Sequence, residues 1–326
     1  MLANSLDSSA STWQTRLGEA VSGGDGVVSE ARSTVPAVSS ASAGSGSSPT
    51  VLRIVLGKRL LALRESAGVS REAAAGVLDV TPLTVRRMEN SEVAIKPPYV
   101  RLLLPLYGVD EGEVEQFIEL VKAANRPGWW HRYRDAVPGW FSAYVSLEDE
   151  ASLIRTYEPH YVPGLLQTEE YARGVLGAGA HKNAEELDRR VALRIKRQQL
   201  LSKPGAPMLW ILMEESVLRR PVGDTPEVMK DQVDRLLEAT AIPNVTLQLM
   251  PFAIGPHLGA FGPFHLFRFD LTELPDIVYT ENLTGAVYLD RRPDSAAYLE
   301  VLDNLSARAA SVHETKAFLQ NIRKEL

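Results

Sequence analysis

The chain has 326 residues, 45% of them hydrophobic, and a formal net charge of −6 at neutral pH, a size that predicts about two domains, each able to bury its own core. It has no cysteine, which excludes disulfides and thiolate metal sites and fits a reducing compartment. No apolar run approaches the roughly 18 residues of a membrane span, and the N-terminus lacks the basic-then-apolar layout of a secretory leader, so a cytoplasmic protein with no membrane partner is expected.

Residues 1–50 are dominated by Ser, Ala, Gly and Val and end in Ser45-Gly46-Ser47-Ser48-Pro49. So few large apolar side chains cannot offset chain entropy, and a disordered tail is expected there, dispensable for folding. The pair Trp13 and Leu17 within it reads as incidental.

Residues 51–126 read as five helices. The first spans about 51–66. The segment from Ser70 to Glu89 then holds two short helical patterns separated by a tight break at Asp79, a residue that tolerates a left-handed turn. The second pattern, 81–90, opens with Thr81 as an N-cap and Pro82 at the first helical position, where a missing N–H costs nothing. Val85 and Met88 share an inward face, while Leu83, Arg86 and Arg87 point elsewhere. A short helix with an apolar anchor and a basic outer face suits the major groove of DNA. Short helix pairs also occur in plain helical bundles; the agreement of cap, proline, turn and basic face favours DNA. Pro97-Pro98 introduces a fourth helix, Tyr99 to Tyr107, ended by Gly108, and Asp110 caps a fifth running to about Asn125.

Charge supports a divided chain. Residues 51–101 carry nine Lys/Arg and five Asp/Glu, a balance of +4, which leaves −10 for the remainder. A basic module on an acidic body is expected of a DNA reader joined to a domain with another task.

Leu56-Gly57-Lys58-Arg59-Leu60, Leu63-Arg64-Glu65 and the turn block at 68–89 resemble the helix-turn-helix of XRE-type, phage-repressor-like regulators. The chain departs from that pattern with Arg71 for a glutamine, Ala74 for a leucine and Asp79 for a glycine. The resemblance implies double-stranded DNA as partner, with the groove read by Thr81, Pro82, Leu83, Thr84, Arg86 and above all Arg87. It implies a phosphate held by Ser70 and Arg71, the latter making that contact more electrostatic than glutamine would. It also implies a structural ion pair between Arg64 and Glu89.

At 127–145, Trp129, Trp130, Trp140, Phe141 and Tyr144 form an aromatic junction, read as a hydrophobic hinge between domains in preference to a ligand cage. From 146 to 326 the pattern is α+β. Helical stretches are expected near 148–153, 168–176, 184–203, 226–240 and 294–323. Strands are expected at Ile154–Tyr157, Met208–Met213, Val245–Met250, Phe264–Phe269 and Ile277–Thr280. Those at 245–250 and 264–269 alternate as half-buried antiparallel strands do. The run Glu148-Asp149-Glu150 reads as a helix start, where negative charge is favourable, in preference to an acid/base pair.

Leu147-Glu148-x-Glu150-Ala151, Pro163-Gly164-Leu165-Leu166-Gln167-Thr168-x-x-Tyr171-Ala172-Arg173, Arg194-x-x-Arg197-Gln198, Glu215-x-x-Leu218-Arg219-Arg220-Pro221-Val222-Gly223 and Val278-Tyr279-x-Glu281 resemble a C-terminal domain of unknown function attached to many actinobacterial XRE regulators. That resemblance implies a regulator of development or secondary metabolism, often encoded beside a small partner protein.

Chemistry is sparse. His257 and His265, with Glu281, match no common zinc spacing, and Arg219-Arg220 beside Glu214-Glu215 reads as ion pairing in preference to an anion site. No phosphate loop, dinucleotide fingerprint or nucleophile elbow is present, so no metal, cofactor or catalytic residue is expected. Two functions stay open. One is a DNA-binding regulator, a homodimer on a two-fold operator, whose C-terminal domain senses a small partner protein or metabolite. The other is an enzyme tethered to DNA.

Overall fold

The computed structural model describes residues 49–126, 128–133, 135–136, 141–179, 183–270, 274–283 and 285–326. The tail expected at 1–50 lies almost wholly outside the described residues, as does Trp140 of the aromatic junction.

Five helices build the N-terminal region: α1 (Pro49–Ser66), α2 (Arg71–Leu78), α3 (Pro82–Glu89), α4 (Pro97–Leu106) and α5 (Glu111–Ala124). Their ends follow local chemistry. Ser70 Oγ accepts from the Ala73 N–H, Thr81 Oγ1 from Thr84 N–H and an Asp110 carboxylate oxygen from Glu113 N–H, each satisfying an orphan donor of a first turn. Asp79 closes α2 in the left-handed region at φ 53° and ψ 49°, the conformation its short polar side chain tolerates. The fourth helix starts two residues earlier than expected, because Pro97-Pro98 occupy its first turn. Leu56, Leu60, Val85, Met88, Leu103, Leu104 and Phe117 share one buried core.

The larger region holds α6 (Phe141–Glu150), β1 (Leu153–Glu158), α7 (Glu169–Gly177), α8 (Ala184–Arg197), β2 (Met208–Glu214), α9 (Glu215–Arg219), α10 (Pro226–Ala239), β3 (Val245–Met250), β4 (Phe264–Arg268), β5 (Ile277–Asn282), β6 (Gly285–Leu289), α11 (Arg292–Arg308) and α12 (Val312–Glu325). The sheet order is β3-β2-β1-β4-β5-β6. Strands β1, β2 and β3 are parallel, with Ile154 opposite Leu209 and Leu209 opposite Val245, and helical crossovers link them. From β1 outward the pairing turns antiparallel, with Ile154 opposite Phe267 and Leu266 opposite Val278. Period-two alternation divides the side chains between two cores. Ile154, Ile211, Leu247, Phe267 and Tyr279 pack beneath helices including α10 and α12, while Tyr157, Leu212, Leu266 and Val278 pack against Leu302 and Leu305 of α11.

Several expectations change. The strand at 245–250 is parallel and almost fully buried, where a half-buried antiparallel strand was expected. Its polar Gln248 lies under α11, accepting from Trp210 Nε1 at 2.8 Å and donating to the carbonyls of Ser306 and Ala310 at 3.3 and 3.1 Å. A satisfied buried amide mimics a solvent-facing position. The stretch read as one helix at 294–323 is two, divided where Ser311 and Glu314 form a reciprocal capping box. The Glu148-Asp149-Glu150 run ends α6 instead of starting a helix. The strand β6 was not anticipated. The aromatic junction is partly intramolecular core: Trp130 and Tyr144 are buried with Val51 of α1, and α1 packs on α6. A Lys58–Asp290 ion pair at 2.9 Å adds a polar contact between the two regions.

Candidate functional site

The face presented by α3 follows from its caps and its apolar anchor. Val85 and Met88 are buried in the five-helix core, which fixes the rotation of the helix. Ser70, Thr81, Pro82, Leu83, Arg86 and Arg87 are exposed as a result and Thr84 is half-buried. Leu83, at 44% exposure, is an apolar side chain on a basic surface, the kind of group that meets a thymine methyl. Arg87 has a loose surface partner in Glu92 at 3.7 Å, an ion pair weak enough to exchange for a base edge.

Beneath this face lies a buried charge cluster. Glu89, only 1% exposed, accepts from Arg64 Nε at 2.5 Å and from Arg64 Nη2 at 3.4 Å. Arg64 also donates to the Val69 carbonyl at 2.8 Å, so α1 is tied both to the recognition helix and to the start of the turn. A third partner was not foreseen: Arg71 Nε donates to Glu89 Oε2 at 2.7 Å. Arg71 was expected to hold a phosphate; its Nε is committed inward while 38% of the side chain stays exposed. Burial, and then the Glu89 charge, push the Tyr107 hydroxyl bordering this cluster up to about 12.

A second site lies in the larger region, a cavity of about 670 Å³ whose lining includes Phe141, Tyr144, Glu158, Arg194, Arg197 and Glu281. Helix α8 places Arg194 and Arg197 one turn apart on its inner face. Arg197 is neutralised by an ion pair. Its Nε and Nη2 donate to the two carboxylate oxygens of Glu148 at 2.8 and 2.7 Å, and its guanidinium lies 5.1 and 5.0 Å from the Phe141 and Tyr144 ring centres. The Glu148 carboxylate, at the unfavourable end of the α6 dipole, is stabilised by this fork. Arg194 donates to Gln167 Oε1 at 2.9 Å, and Gln167 Nε2 in turn donates to the Val162 carbonyl at 2.7 Å. Burial, reinforced by Arg197, lowers Arg194 to about 10. Burial raises Glu158 to about 8, and with Arg197 it lowers the neighbouring His265 to about 3, so both are held neutral at pH 7.

Residues 55–117 match a helix-turn-helix domain family, and residues 141–321 match the domain of unknown function DUF5753, which spans more than half of the chain. The chain belongs to the DUF5753 family. No curated protein and no solved structure matches it.

This DUF5753 chain therefore joins a helix-turn-helix domain to the family's α+β body. Within the body, residues from three separate sequence motifs (Gly164 and Gln167; Arg194 and Arg197; Tyr279 and Glu281) line this cavity, and Glu148 of a fourth is tied to it through Arg197. Sequence reading found the motifs and missed the convergence, because nothing local says which face of α8 turns toward β5. The histidines do not meet: His257 Nε2 is 3.1 Å from Glu214 and His265 Nε2 is 3.6 Å from Glu158. Arg219 pairs with Glu215 at 3.3 Å and also with Glu325, and Arg220 lies over the Tyr161 ring. No group of metal-ligating residues forms among the described residues, and none of the described helices is long and apolar enough to cross a membrane.

Proposed function

We propose that this protein is a sequence-specific DNA-binding transcription regulator, active as a homodimer and non-enzymatic, whose DUF5753 body senses a small partner or ligand. The exposed basic face of α3, held in register by buried Val85 and Met88, is the observation that carries the reading. Arg87 is the principal base reader, supported by Arg86 and Leu83, and Arg71 with Ser70 meets the backbone. One such module makes too few base contacts to select a site from a genome, whereas two on half-sites one helical turn apart roughly square the discrimination. Assignment to development or secondary metabolism rests on the sequence resemblance alone. The non-enzymatic reading rests on the sequence, which holds no phosphate loop, dinucleotide fingerprint or nucleophile elbow.

Selection from a random duplex library tests this directly. Full-length protein should enrich an inverted repeat with half-site centres about 10 base pairs apart. Arg87→Ala should relax one position per half-site, costing about 1–3 kcal/mol there. Enrichment of a single asymmetric half-site would remove the dimer, an unchanged motif for Arg87→Ala would refute the register, and no enrichment at all would refute the regulator.

A further inference from the structure

The two guanidiniums of α8 that line the cavity, Arg197 buried and Arg194 half-buried, are unequally provided for. Glu148 neutralises Arg197 with a bidentate fork, and the Phe141 and Tyr144 rings cover its face. Arg194, one turn earlier, has only the neutral Gln167 amide and makes no ion pair among the described residues. A half-buried cation without a paired carboxylate is costly, and it lines an open cavity of about 670 Å³, within the range of small-molecule sites. Its acidic neighbours do not discharge it. Glu158 is protonated at neutral pH, and Glu281 is exposed and accepts from the Tyr279 hydroxyl at 2.7 Å. Arg194 thus has no carboxylate of its own within pairing distance among the described residues, and the Glu281 charge in the same lining would repel a dianion more than a monoanion. Aromatic walls at Phe141, Tyr144 and Tyr161 flank the same space.

We propose that this cavity takes a small organic monoanion with a flat apolar body, its carboxylate gripped by Arg194, and that occupancy is relayed through α6 to the DNA-binding module. The relay follows from one helix serving two contacts. Phe141, Tyr144 and Glu148 of α6 clasp Arg197 beside the anion site, and α6 also packs on α1, whose Val51 shares a core with Tyr144. A ligand that draws Arg194 or Arg197 even slightly changes the seat of α1, and the shift in DNA affinity equals its differential affinity for the two arrangements. This assignment rests on the sensing role proposed above and specifies its ligand and its route.

Benzoate is the probe, with benzyl alcohol as its neutral isostere and inorganic phosphate as a bare anion. Calorimetry on the full-length protein should give benzoate a Kd on the order of 1 mM, as a ligand of that size supports, with benzyl alcohol and phosphate at least about tenfold weaker. Arg194→Met should abolish benzoate binding while melting at or above the wild-type temperature, because it removes a partly desolvated charge that has no ion pair; a merely structural arginine would lower it. Arg194→Lys, which keeps the charge without the fork, should retain weakened binding. Equal binding of benzoate and benzyl alcohol, retention by Arg194→Met, or no benzoate binding at about 10 mM would overturn the anion site. Benzoate binding that depends on Arg194 yet leaves affinity for a selected duplex unchanged would keep the site and refute the relay and the sensing role.

Discussion

Replacing Glu89 by alanine would leave two guanidinium groups facing each other under the recognition helix. The carboxylate is 1% exposed and Arg64 is 6% exposed, so that pair is almost fully desolvated, and breaking such a pair by removing one partner costs about 3–5 kcal/mol. Two features place the cost near the lower end. Arg64 keeps its bond to the Val69 carbonyl and an ion pair with exposed Glu65 at 3.5 Å, and Arg71 is exposed enough to turn its charge to water. About 3 kcal/mol is a large share of the roughly 5–15 kcal/mol that holds a domain together. For a helical module of this size it corresponds to a fall in melting temperature of roughly 12–24 °C. The domains can be followed separately if Trp210 of β2 is kept as the one tryptophan and the other four are replaced by phenylalanine in both proteins compared: its fluorescence reports the DUF5753 body, while far-ultraviolet circular dichroism reports the helices of both. The early dichroism transition should move and the fluorescence transition should hold. A double change of Arg64 and Glu89 to methionine should recover much of the loss. An early transition within about 0.5 kcal/mol of wild type in Glu89→Ala would refute the reasoning, because surface substitutions behave that way.

Arg71→Ala should weaken binding to all duplexes alike and lower the salt slope by about one unit, read from titrations at several salt concentrations; a sequence-dependent loss would place Arg71 at the bases instead. Gly57→Ala should destabilise α1 against α3, since the added methyl would stand 2.7 and 2.9 Å from the carbonyl oxygens of Glu89 and Met88. The overpacking cost of about 1–3 kcal/mol exceeds the roughly 1 kcal/mol helix gain, and an unchanged urea midpoint would show that the helices separate freely. Glu158 and His265 should impose opposite pH slopes on stability. Glu158 is raised from 4.5 to about 8, so the folded state holds the extra proton across that window and stability falls as pH rises through it. His265 is lowered from 6.5 to about 3, so the unfolded state holds the extra proton and stability is lost as pH falls from 6.5 toward 3. Urea midpoints measured against pH should lose the first slope in Glu158→Gln and the second in His265→Gln; unchanged slopes would show that neither group is held neutral.

Much of the helix-turn-helix region was legible in the sequence because its signals are local. Thr81, Pro82, Ser70 and Asp110 act on the first turn of their own helices, Asp79 acts on its own backbone, and Val85 with Met88 sets the rotation of α3 within one turn. The division of charge between a basic module and an acidic body likewise needs no coordinates. The capping box at Ser311 and Glu314 was there to be read and would have divided the last helical stretch correctly. What only tertiary structure decided depends on partners far apart in the chain. Whether Val245–Met250 faces water or a second core turns on the return of α11 beneath Gln248. That Arg71 turns inward turns on the position of Glu89, 18 residues away. The cavity is the clearest case. Arg194 and Arg197 look alike on paper, and only the approach of α6, which brings Glu148 to one and not to the other, leaves Arg194 half-buried and without an ion pair among the described residues, facing open space. Local sequence sets how each segment begins, ends and turns; the pairing of buried charges is decided by which distant segments share a low-dielectric interior, and no local signal encodes that.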